Sequence, residues 1–310
     1  MLFLGILLLL CLAAVLICYR IAFYSPLPHK EDPYDIPRDD QYGVHADRMH
    51  RMVDYLRSLP YEQVYITSHD GLRLAARYYH RNDGAPVKIE FHGYRSAATR
   101  DFCGANELDV LTGCNVLLVD QRAHGLSDGT SITFGILERF DVISWANYVV
   151  ERFGSDVKIL LSGVSMGAAT VMMAAGTDLP PQVVGVLADC GYSSAKEIIG
   201  LAIKQMGLPV KLSYPFARLG ARIFGGFDPE ETSPVEALKK AKVPVIFFHG
   251  EADDFVPCYM SKACFDACAS RKRLVTVPGA GHGLSYPKDP EGYIRAVREF
   301  FGPELCPEPK

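Results

Sequence analysis

Residues 159–176 read ILLSGVSMGAATVMMAAG, and this stretch decides the fold. Ile159 to Ser162 is a short apolar run typical of a buried strand, and Ala168 to Gly176 is typical of an apolar helix. The turn between them is Gly163-Val164-Ser165-Met166-Gly167. A serine on a strained strand-to-helix turn leaves no room for side chains two residues away on either side, which explains both glycines. The pattern predicts Ser165 as a nucleophile, whereas the alternative is a tight turn with a surface serine.

The same alternation of strand and helix extends along the chain on both sides of this turn. Two alternating runs, Gln63–Ser68 and Leu72–Tyr79, flank an Asp-Gly turn and predict an antiparallel hairpin. Short apolar strands separated by helices predict a mostly parallel, eight-stranded sheet with helices on both faces. The other predicted strands are Val87–Phe91, Val116–Val119, Ile159–Ser162, Val183–Leu187, Val245–Phe248 and Leu274–Val277. The predicted helices include His45–Leu59, Phe134–Phe153, Ser165–Gly176, Cys258–Ala269 and Pro290–Phe301.

A serine hydroxyl needs a base to become a nucleophile at neutral pH. His282 lies in a glycine-rich loop after the last predicted strand, where such a base is expected. His124 and His249 also follow strands but lie in loops for which we expect other roles. The base in turn needs a carboxylate that orients it. The loop after Val245–Phe248 offers Asp253 or Asp254, with Glu251 as a more remote third candidate.

Acyl transfer also needs hydrogen-bond donors that stabilise a developing oxyanion. The backbone N–H of Met166, at the start of the helix after Ser165, is one expected donor. The second should come from the loop after the third strand, His92-Gly93-Tyr94-Arg95, and the N–H of Tyr94 is the candidate. The alternative is that His92-Gly93 is a simple turn at a strand end.

From about Tyr61 to Phe301 the chain resembles the α/β-hydrolase superfamily. It is similar to a bacterial membrane-anchored branch whose core is like that of prolyl-oligopeptidases and lysophospholipases. The residues that carry the resemblance are His92–Tyr94, Asp120–Ser127, Gly163–Gly167, His249–Pro257 and Gly281–Gly283. The family pattern His-Gly-x-x-Asp-x-x-Val-Pro assigns the acid to Asp253. The resemblance implies acyl transfer through a covalent intermediate, with no metal and no cofactor.

An apolar segment opens the chain, because Leu2 to Cys18 contains no charged residue. At 1.5 Å per residue it is about 25 Å long, and the following aromatic residues extend it if Arg20 reaches the interface. We expect an uncleaved single-span anchor, since a signal peptide normally has a basic start and a small-x-small cleavage site. The basic residues Arg20, Lys30 and Arg38 all follow the span, which favours a cytoplasmic catalytic domain.

The predicted organisation is an anchor at residues 1–24, a linker with a helix at 25–60, a catalytic domain at 61–302 and a tail at 303–310. About 55 residues separate the strand ending near Asp189 from the strand at Val245, longer than a crossover needs. Their apolar content predicts a small helical cap at about 191–235, whereas the alternative is a long helical connection with its own packing.

The composition excludes some functions and leaves others open. The chain has 310 residues, 49% hydrophobic and 22% charged, with a net charge of −4 and no basic block, so nucleic acid is not an expected partner. Nine cysteines without a CxxC pair are typical of buried thiols rather than a metal site or disulfides. Arg95, Arg100 and Arg122 near the site could bind an anion or form structural ion pairs.

Esters are the expected substrates, because the cap is apolar and aromatic and so suits an acyl group. The expected enzyme is an esterase or a lysophospholipase-like hydrolase that acts on a small acyl ester, with the bilayer contacted through the N-terminal helix. A peptidase or amidase of the same fold is the alternative enzyme. A non-catalytic binding protein is the alternative class, although such proteins usually lose one member of the triad.

Overall fold

The computed structural model describes residues 2–36, 41–104, 113–302 and residue 305. Its centre is a sheet of eight strands: β1 (Glu62–Thr67), β2 (Arg73–Tyr79), β3 (Val87–Phe91), β4 (Asn115–Asp120), β5 (Ile159–Val164), β6 (Val183–Asp189), β7 (Val245–Gly250) and β8 (Lys272–Val277). Their order in the described part of the chain is β1-β2-β4-β3-β5-β6-β7-β8. Only β2 runs opposite to the other seven strands. The predicted sheet, including its antiparallel hairpin, is confirmed.

Helices cover both faces of this sheet. They are α1 (Leu2–Ala22), α2 (Gly43–Ser58), α3 (Ala98–Asp101), α4 (Glu138–Phe153), α5 (Met166–Ala174), α6 (Ala195–Gln205), α7 (Val210–Gly220), α8 (Pro234–Leu238), α9 (Tyr259–Ala267), α10 (Ser285–Lys288) and α11 (Pro290–Phe301). Strand β4 shows why the strands are apolar throughout. Leu117 packs into the large core that contains Trp145 of α4, whereas Leu118 packs with Leu56 of α2 on the other face.

One helix begins later than the sequence indicates. Helix α4 starts at Glu138 rather than at Phe134, because Phe134 and Gly135 both have positive φ angles, of 55° and 86°. The Glu138 carboxylate accepts hydrogen bonds from the N–H groups of Thr133 and Gly135, each 2.8 Å long. The carboxylate therefore satisfies two main-chain amides of the loop that precedes the helix. This loop borders the cavity described below.

The segment 191–235, interpreted above as a cap, contains helices α6 and α7. A π-helical turn, Ala221–Gly225, continues α7 directly. The division of the chain at residues 24, 60 and 302 stays a prediction. Of the predicted tail 303–310, only Leu305 belongs to the described residues. Cys264 on α9 and Cys268 just after it are not joined by a disulfide.

Helix α1 has the length and apolar composition of a membrane anchor or of a signal sequence, over Gly5–Ala22. Its last turns are nevertheless part of the folded domain. Val15, Tyr19 and the following Phe23 are buried, and Val15 and Tyr19 lie against Gly220 at the end of α7. This contact is close, since a Cβ atom added to Gly220 would lie 2.8 Å from the Val15 carbonyl oxygen.

The chain that leaves α1 is held by both backbone and side-chain contacts. The Phe23 carbonyl accepts a hydrogen bond of 2.8 Å from the N–H of Ile132. The Phe23 ring packs edge-on against Phe134 and Phe227, with centroid distances of 5.7 and 5.3 Å. The Tyr19 hydroxyl lies 2.7 Å from Ser131 Oγ. The end of α1 is therefore fastened to the loop before α4.

Truncation of Phe23 tests this attachment. We expect Phe23→Ala to lower the free energy of unfolding by about 3–5 kcal/mol, because it empties a fully buried aromatic site. Ile17→Ala, at a side chain 56% exposed on the same helix, is the matched control and should change it by less than about 0.5 kcal/mol. Urea unfolding of the full chain in detergent measures both, and equal effects would contradict the packing.

Candidate active site

The turn between β5 and α5 places Ser165 in a strained conformation. Its φ and ψ angles are 55° and −113°, and its N–H donates to the Asp189 carbonyl at 2.9 Å. A Cβ atom on Gly163 would lie 2.2 Å from the Gly167 carbonyl oxygen, and one on Gly167 would lie 1.7 Å from the Phe91 carbonyl oxygen. Both positions therefore require glycine. The tight turn places the Ser165 side chain beyond the carboxyl end of β5.

His282 lies in the loop between β8 and α10 and faces this serine. Its Nε2 is 2.9 Å from Ser165 Oγ, and its Nδ1 is 2.7 Å from Asp253 Oδ2. The hydroxyl of Tyr42 donates a hydrogen bond to the main-chain oxygen of His282 and holds the loop from behind. The three side chains thus form one hydrogen-bonded series, although they come from three loops far apart in the chain.

Asp253 is the carboxylate that the fold brings to His282. Burial by itself would raise its pKa, but hydrogen bonds from His249, His282 and the Val256 N–H outweigh this and lower the pKa to about 2. The carboxylate is therefore ionised at neutral pH and favours a proton on Nδ1 of His282. Asp254 is exposed, and Glu251 instead accepts a hydrogen bond of 2.7 Å from the Thr276 hydroxyl.

His249 is a contributor to which the sequence analysis assigned no specific role. It is fully buried at the end of β7, and its Nε2 lies 3.2 Å from Asp253 Oδ2 and 2.7 Å from the Val256 carbonyl oxygen. Nε2 must carry a proton to bond two acceptors. His249 therefore orients the carboxylate as a second partner. The signal was present in the sequence, since a histidine ends the strand just before Asp253.

The loop after β3 approaches the serine closely. A Cβ atom on Gly93 would lie 3.4 Å from Ser165 Cβ. The Gly93 N–H donates to Asp101 Oδ2 at 2.7 Å, and the Arg95 N–H donates to His124 Nε2 at 3.0 Å. Among the hydrogen bonds of the described residues, none uses the N–H of Tyr94 or that of Met166. Neither amide has a partner among these bonds, so both remain candidates for the expected oxyanion donors.

His124 and Asp101 hold this loop in place from outside. Burial and the neighbouring His92 lower the pKa of His124, so its ring is neutral and accepts from Arg95. The rings of His92 and His124 meet edge-on at 4.7 Å. Asp101 also accepts a hydrogen bond from the Ser96 hydroxyl. Sequence reasoning missed Asp101, because no local pattern connects it with Gly93.

The three arginines near the site make structural contacts. Arg122 is buried between Asp70 and Asp141, with N···O distances of 2.8 and 2.7 Å. Arg95 donates to two main-chain carbonyls at the end of α1, and Arg100 donates to one in the linker before α2. Arg122 and Arg100, which also lies 3.4 Å from Asp101, thus match the ion-pair alternative, whereas Arg95 bonds main-chain carbonyls.

A cavity of about 220 Å³ opens in front of Ser165. Its walls are mostly apolar and come from helices α1, α6 and α7 and from several loops. They include Cys18, Ile21 and Ala22 of α1; Ile199, Ala202 and Ile203 of α6; Met206 and Leu208 after α6; and Tyr94, Phe134, Tyr192 and Phe255 from the surrounding loops. Such a cavity accommodates an apolar group and offers it few hydrogen bonds. The contribution of α1 was not expected from the sequence.

Two groups of donor atoms in the described residues are close enough to consider for a metal ion. Cys190, Asp253 and His282 form one group, but Asp253 and His282 bond each other and burial raises the pKa of the Cys190 thiol, which stays protonated. The other group contains Asp70 and Asp141, between which the Arg122 guanidinium already supplies the positive charge. Both sets therefore serve hydrogen bonding and ion pairing better than metal binding.

Two curated proteins are similar in sequence to part of this chain. An uncharacterized protein of Bacillus subtilis, YqkD, is 28% identical over 190 residues, which are 61% of this chain and 62% of that protein. The protein bem46 of Schizosaccharomyces pombe is 24% identical over 256 residues, covering 79% of this chain and 77% of that one. The match thus spans less than two thirds of the Bacillus relative.

Solved structures share the fold. The Pyrococcus furiosus esterase Pf2001 superposes with a TM-score of 0.65 at 23% identity, covering 78% of this chain and 91% of that one. Est1E from Butyrivibrio proteoclasticus, solved with ferulic acid, gives 0.59 at 24% identity over 76% and 97%. The family model described as the alpha/beta hydrolase family matches residues 91–296, which include the strand-end loops described above. The chain therefore belongs to the alpha/beta hydrolase family, and this membership supports a hydrolase.

Proposed function

We propose that this protein is a serine hydrolase that cleaves carboxylic esters through an acyl-enzyme intermediate. The observation that carries the proposal is the hydrogen-bonded series Ser165–His282–Asp253, whose serine lines an apolar cavity. The spacing of 2.9 Å from Ser165 Oγ to His282 Nε2 suits transfer of the serine proton.

In the proposed first step, Ser165 Oγ attacks the ester carbonyl carbon while His282 Nε2 takes the serine proton. The ionised Asp253 stabilises the imidazolium through Nδ1. His282 then gives the proton to the departing alkoxide, and the alcohol leaves. In the second half, His282 takes a proton from water, the resulting hydroxide attacks the acyl carbon, and Ser165 regains its proton as the acid departs.

The N–H groups of Tyr94 and Met166 are the proposed oxyanion donors. Asp101 and His124 hold the Tyr94 peptide in place by bonding the amides on either side of it. The Met166 N–H lies at the first residue of helix α5, where the helix dipole adds a positive field. Preorganised donors of this kind supply a large share of transition-state stabilisation, about 2.7–4 kcal/mol for each one removed.

The cavity favours an ester with an apolar acyl group over a peptide. A peptide substrate carries backbone N–H and C=O groups that need partners, and the walls contributed by α1 and α6 are almost entirely aliphatic. An acyl chain or an aromatic acid needs no such partners. An amide of an apolar acid is the remaining alternative within the same mechanism.

The triad proposal predicts a graded loss of activity. We expect Ser165→Ala to abolish hydrolysis of a p-nitrophenyl ester series from acetate to palmitate, and Asp253→Asn to lower kcat by about 10⁴-fold through the wrong tautomer of His282. The full chain in detergent is the right sample, because Cys18, Ile21 and Ala22 line the cavity.

Asp254→Asn is the matched control, since Asp254 is the exposed neighbour of the buried Asp253. It should retain activity within about two-fold, as surface substitutions usually do. Equal effects at the two positions would contradict the assigned acid. If folded wild-type protein hydrolyses no ester in the series, the ester proposal fails, and labelling by a serine-reactive fluorophosphonate then separates an amidase from a binding protein.

The cavity itself predicts selectivity for chain length. Ala202→Phe places a ring in the cavity, and we expect it to lower kcat/KM for palmitate by about ten-fold or more relative to acetate, because the acyl chain loses its apolar contacts. Gln205→Phe adds the same ring at an exposed position of α6 outside the cavity and should leave the profile unchanged. Parallel profiles for both variants would contradict an acyl site at α6.

A further inference from the structure

The anchor helix and the cavity are parts of one structure. Cys18, Ile21 and Ala22 of α1 form a wall of the cavity that contains Ser165. The Tyr94 hydroxyl donates to the Ala22 carbonyl at 2.9 Å, and the Arg95 guanidinium donates to the carbonyls of Ile21 and Tyr24 at 3.0 and 3.1 Å. The loop that offers the proposed oxyanion donor therefore caps the end of α1. Cleavage of α1 as a signal sequence would remove both the wall and the acceptors at Ile21 and Ala22.

The length of α1 sets the height of the domain relative to a bilayer. The helix has 21 residues and is about 32 Å long, close to the roughly 30 Å hydrocarbon thickness. However, from Val15 onward it packs against α7, so the part before this contact, residues 2–14, is only about 20 Å long. To complete the span, the packed turns must also lie at membrane depth, and they bring α7 with them.

The surface of α7 suits that depth. Leu212, Leu219, Ile223 and Phe224, on α7 and its π turn, are 63%, 44%, 55% and 38% exposed. We call these four side chains the docking surface. Leu212 and Leu219 share one helix face, and Leu219 directly precedes Gly220, which touches α1. The Phe224 ring of the docking surface also lies 5.5 Å from the Tyr19 ring of α1, measured between centroids. The docking surface therefore adjoins the anchor helix, and apolar side chains grouped in this way mark an interaction site, whereas single exposed ones are normal on a soluble surface.

Charges border the docking surface as they do in interfacial helices. Lys211 and Arg222 are exposed beside Leu212 and Ile223, and the Arg20 guanidinium lies 4.6 Å from the centroid of the Tyr24 ring at the end of α1. Basic and aromatic side chains of this kind lie at the headgroup level of membranes and attract anionic lipids.

The rim of the cavity is on the same side of the molecule. Ile21, Met206 and Leu208 line the cavity and are 51%, 55% and 47% exposed. Ile21 belongs to the anchor, and Met206 and Leu208 belong to the connection into α7. The opening is thus framed by apolar side chains that the bilayer would cover.

We propose that α1 stays in the mature protein and that the docking surface lies in the bilayer interface, so that the acyl chain of a membrane-resident, single-chain lipid ester passes from the lipid into the cavity beside α1. The substrate class rests on the ester hydrolase proposed above, whereas the docking itself does not. The partner is a lipid surface, recognised by apolar contact and by the bordering cations.

Fluorescence tests the docking without any turnover. Full-length Ile223→Trp is placed in nanodiscs of phosphatidylcholine and phosphatidylglycerol, with or without bromine on the acyl chains. We expect brominated lipid to lower the added fluorescence by roughly two-fold, since an interfacial side chain lies about 5–10 Å deep. Wild type supplies the background of Trp145, which is fully buried. Leu212→Trp repeats the measurement should Ile223→Trp fail to fold.

The matched control is Asp156→Trp. Asp156 is exposed just before β5, at the amino ends of the parallel strands and opposite the cap. A tryptophan there should not respond to bromine. Equal quenching at positions 156 and 223, or none at 212 and 223, would overturn the docking.

Activity tests the route of the substrate. The double variant Leu212→Glu, Ile223→Glu should hydrolyse 1-palmitoyl lysophosphatidylcholine in nanodiscs about ten-fold more slowly, while p-nitrophenyl acetate turnover stays within about two-fold. Equal losses on both substrates, or no loss on either, would overturn the route. Absence of ester hydrolysis by wild type would instead overturn the proposed function, and the fluorescence result would stand independently.

Discussion

The structure depends on the close approach of the turn at Ser165 to the end of β3. Gly167 lies so near the Phe91 carbonyl that no Cβ fits between them, and a Cβ on Gly163 would likewise collide with the Gly167 carbonyl. Because β3 and β5 are parallel neighbours, this approach brings the loop after β3 to the serine. The strained φ of Ser165 is maintained by the same packing. The proposed nucleophile and both proposed oxyanion amides therefore share one geometric cause.

A second constraint is the burial of ionisable groups at the same sheet edge. Asp253 stays charged in a dry site only because two histidines and two backbone amides surround it. His124 stays neutral nearby because it is buried beside His92. Two buried groups at the site therefore differ in charge: the hydrogen bonds to Asp253 keep it anionic, whereas burial keeps His124 neutral. Asp253 and His124 lie in loops that directly follow β7 and β4, so the rigid strands hold the start of each loop in place.

The third feature is the connection between α1 and the site. Helix α1, the loop of Tyr94 and Arg95, and helix α6 line one cavity and share hydrogen bonds. In the proposed docking, these shared contacts couple substrate access to membrane position. Removal of α1 together with Phe23 would expose Phe134 and Phe227 and open the cavity on one side. This coupling explains why buried aromatic side chains stand at the end of a helix with the composition of a membrane span. Tyr19 in its last turn and Phe23 just after it are one turn apart and face the domain.

The sequence by itself determined the sheet, because parallel strands buried on both faces leave apolar runs and because the glycines around Ser165 have a local steric cause. It also indicated the strand-end loops of Asp253 and His282, although Asp253 was separated from Asp254 only by resemblance to a family. Only the tertiary structure decided the rest. The partnership of His249 with Asp253, the hold of Asp101 on Gly93 and the place of α1 in the cavity wall join residues from separate strands, helices and loops. Such contacts leave no periodic pattern, since they arise from how elements pack and not from how each one forms.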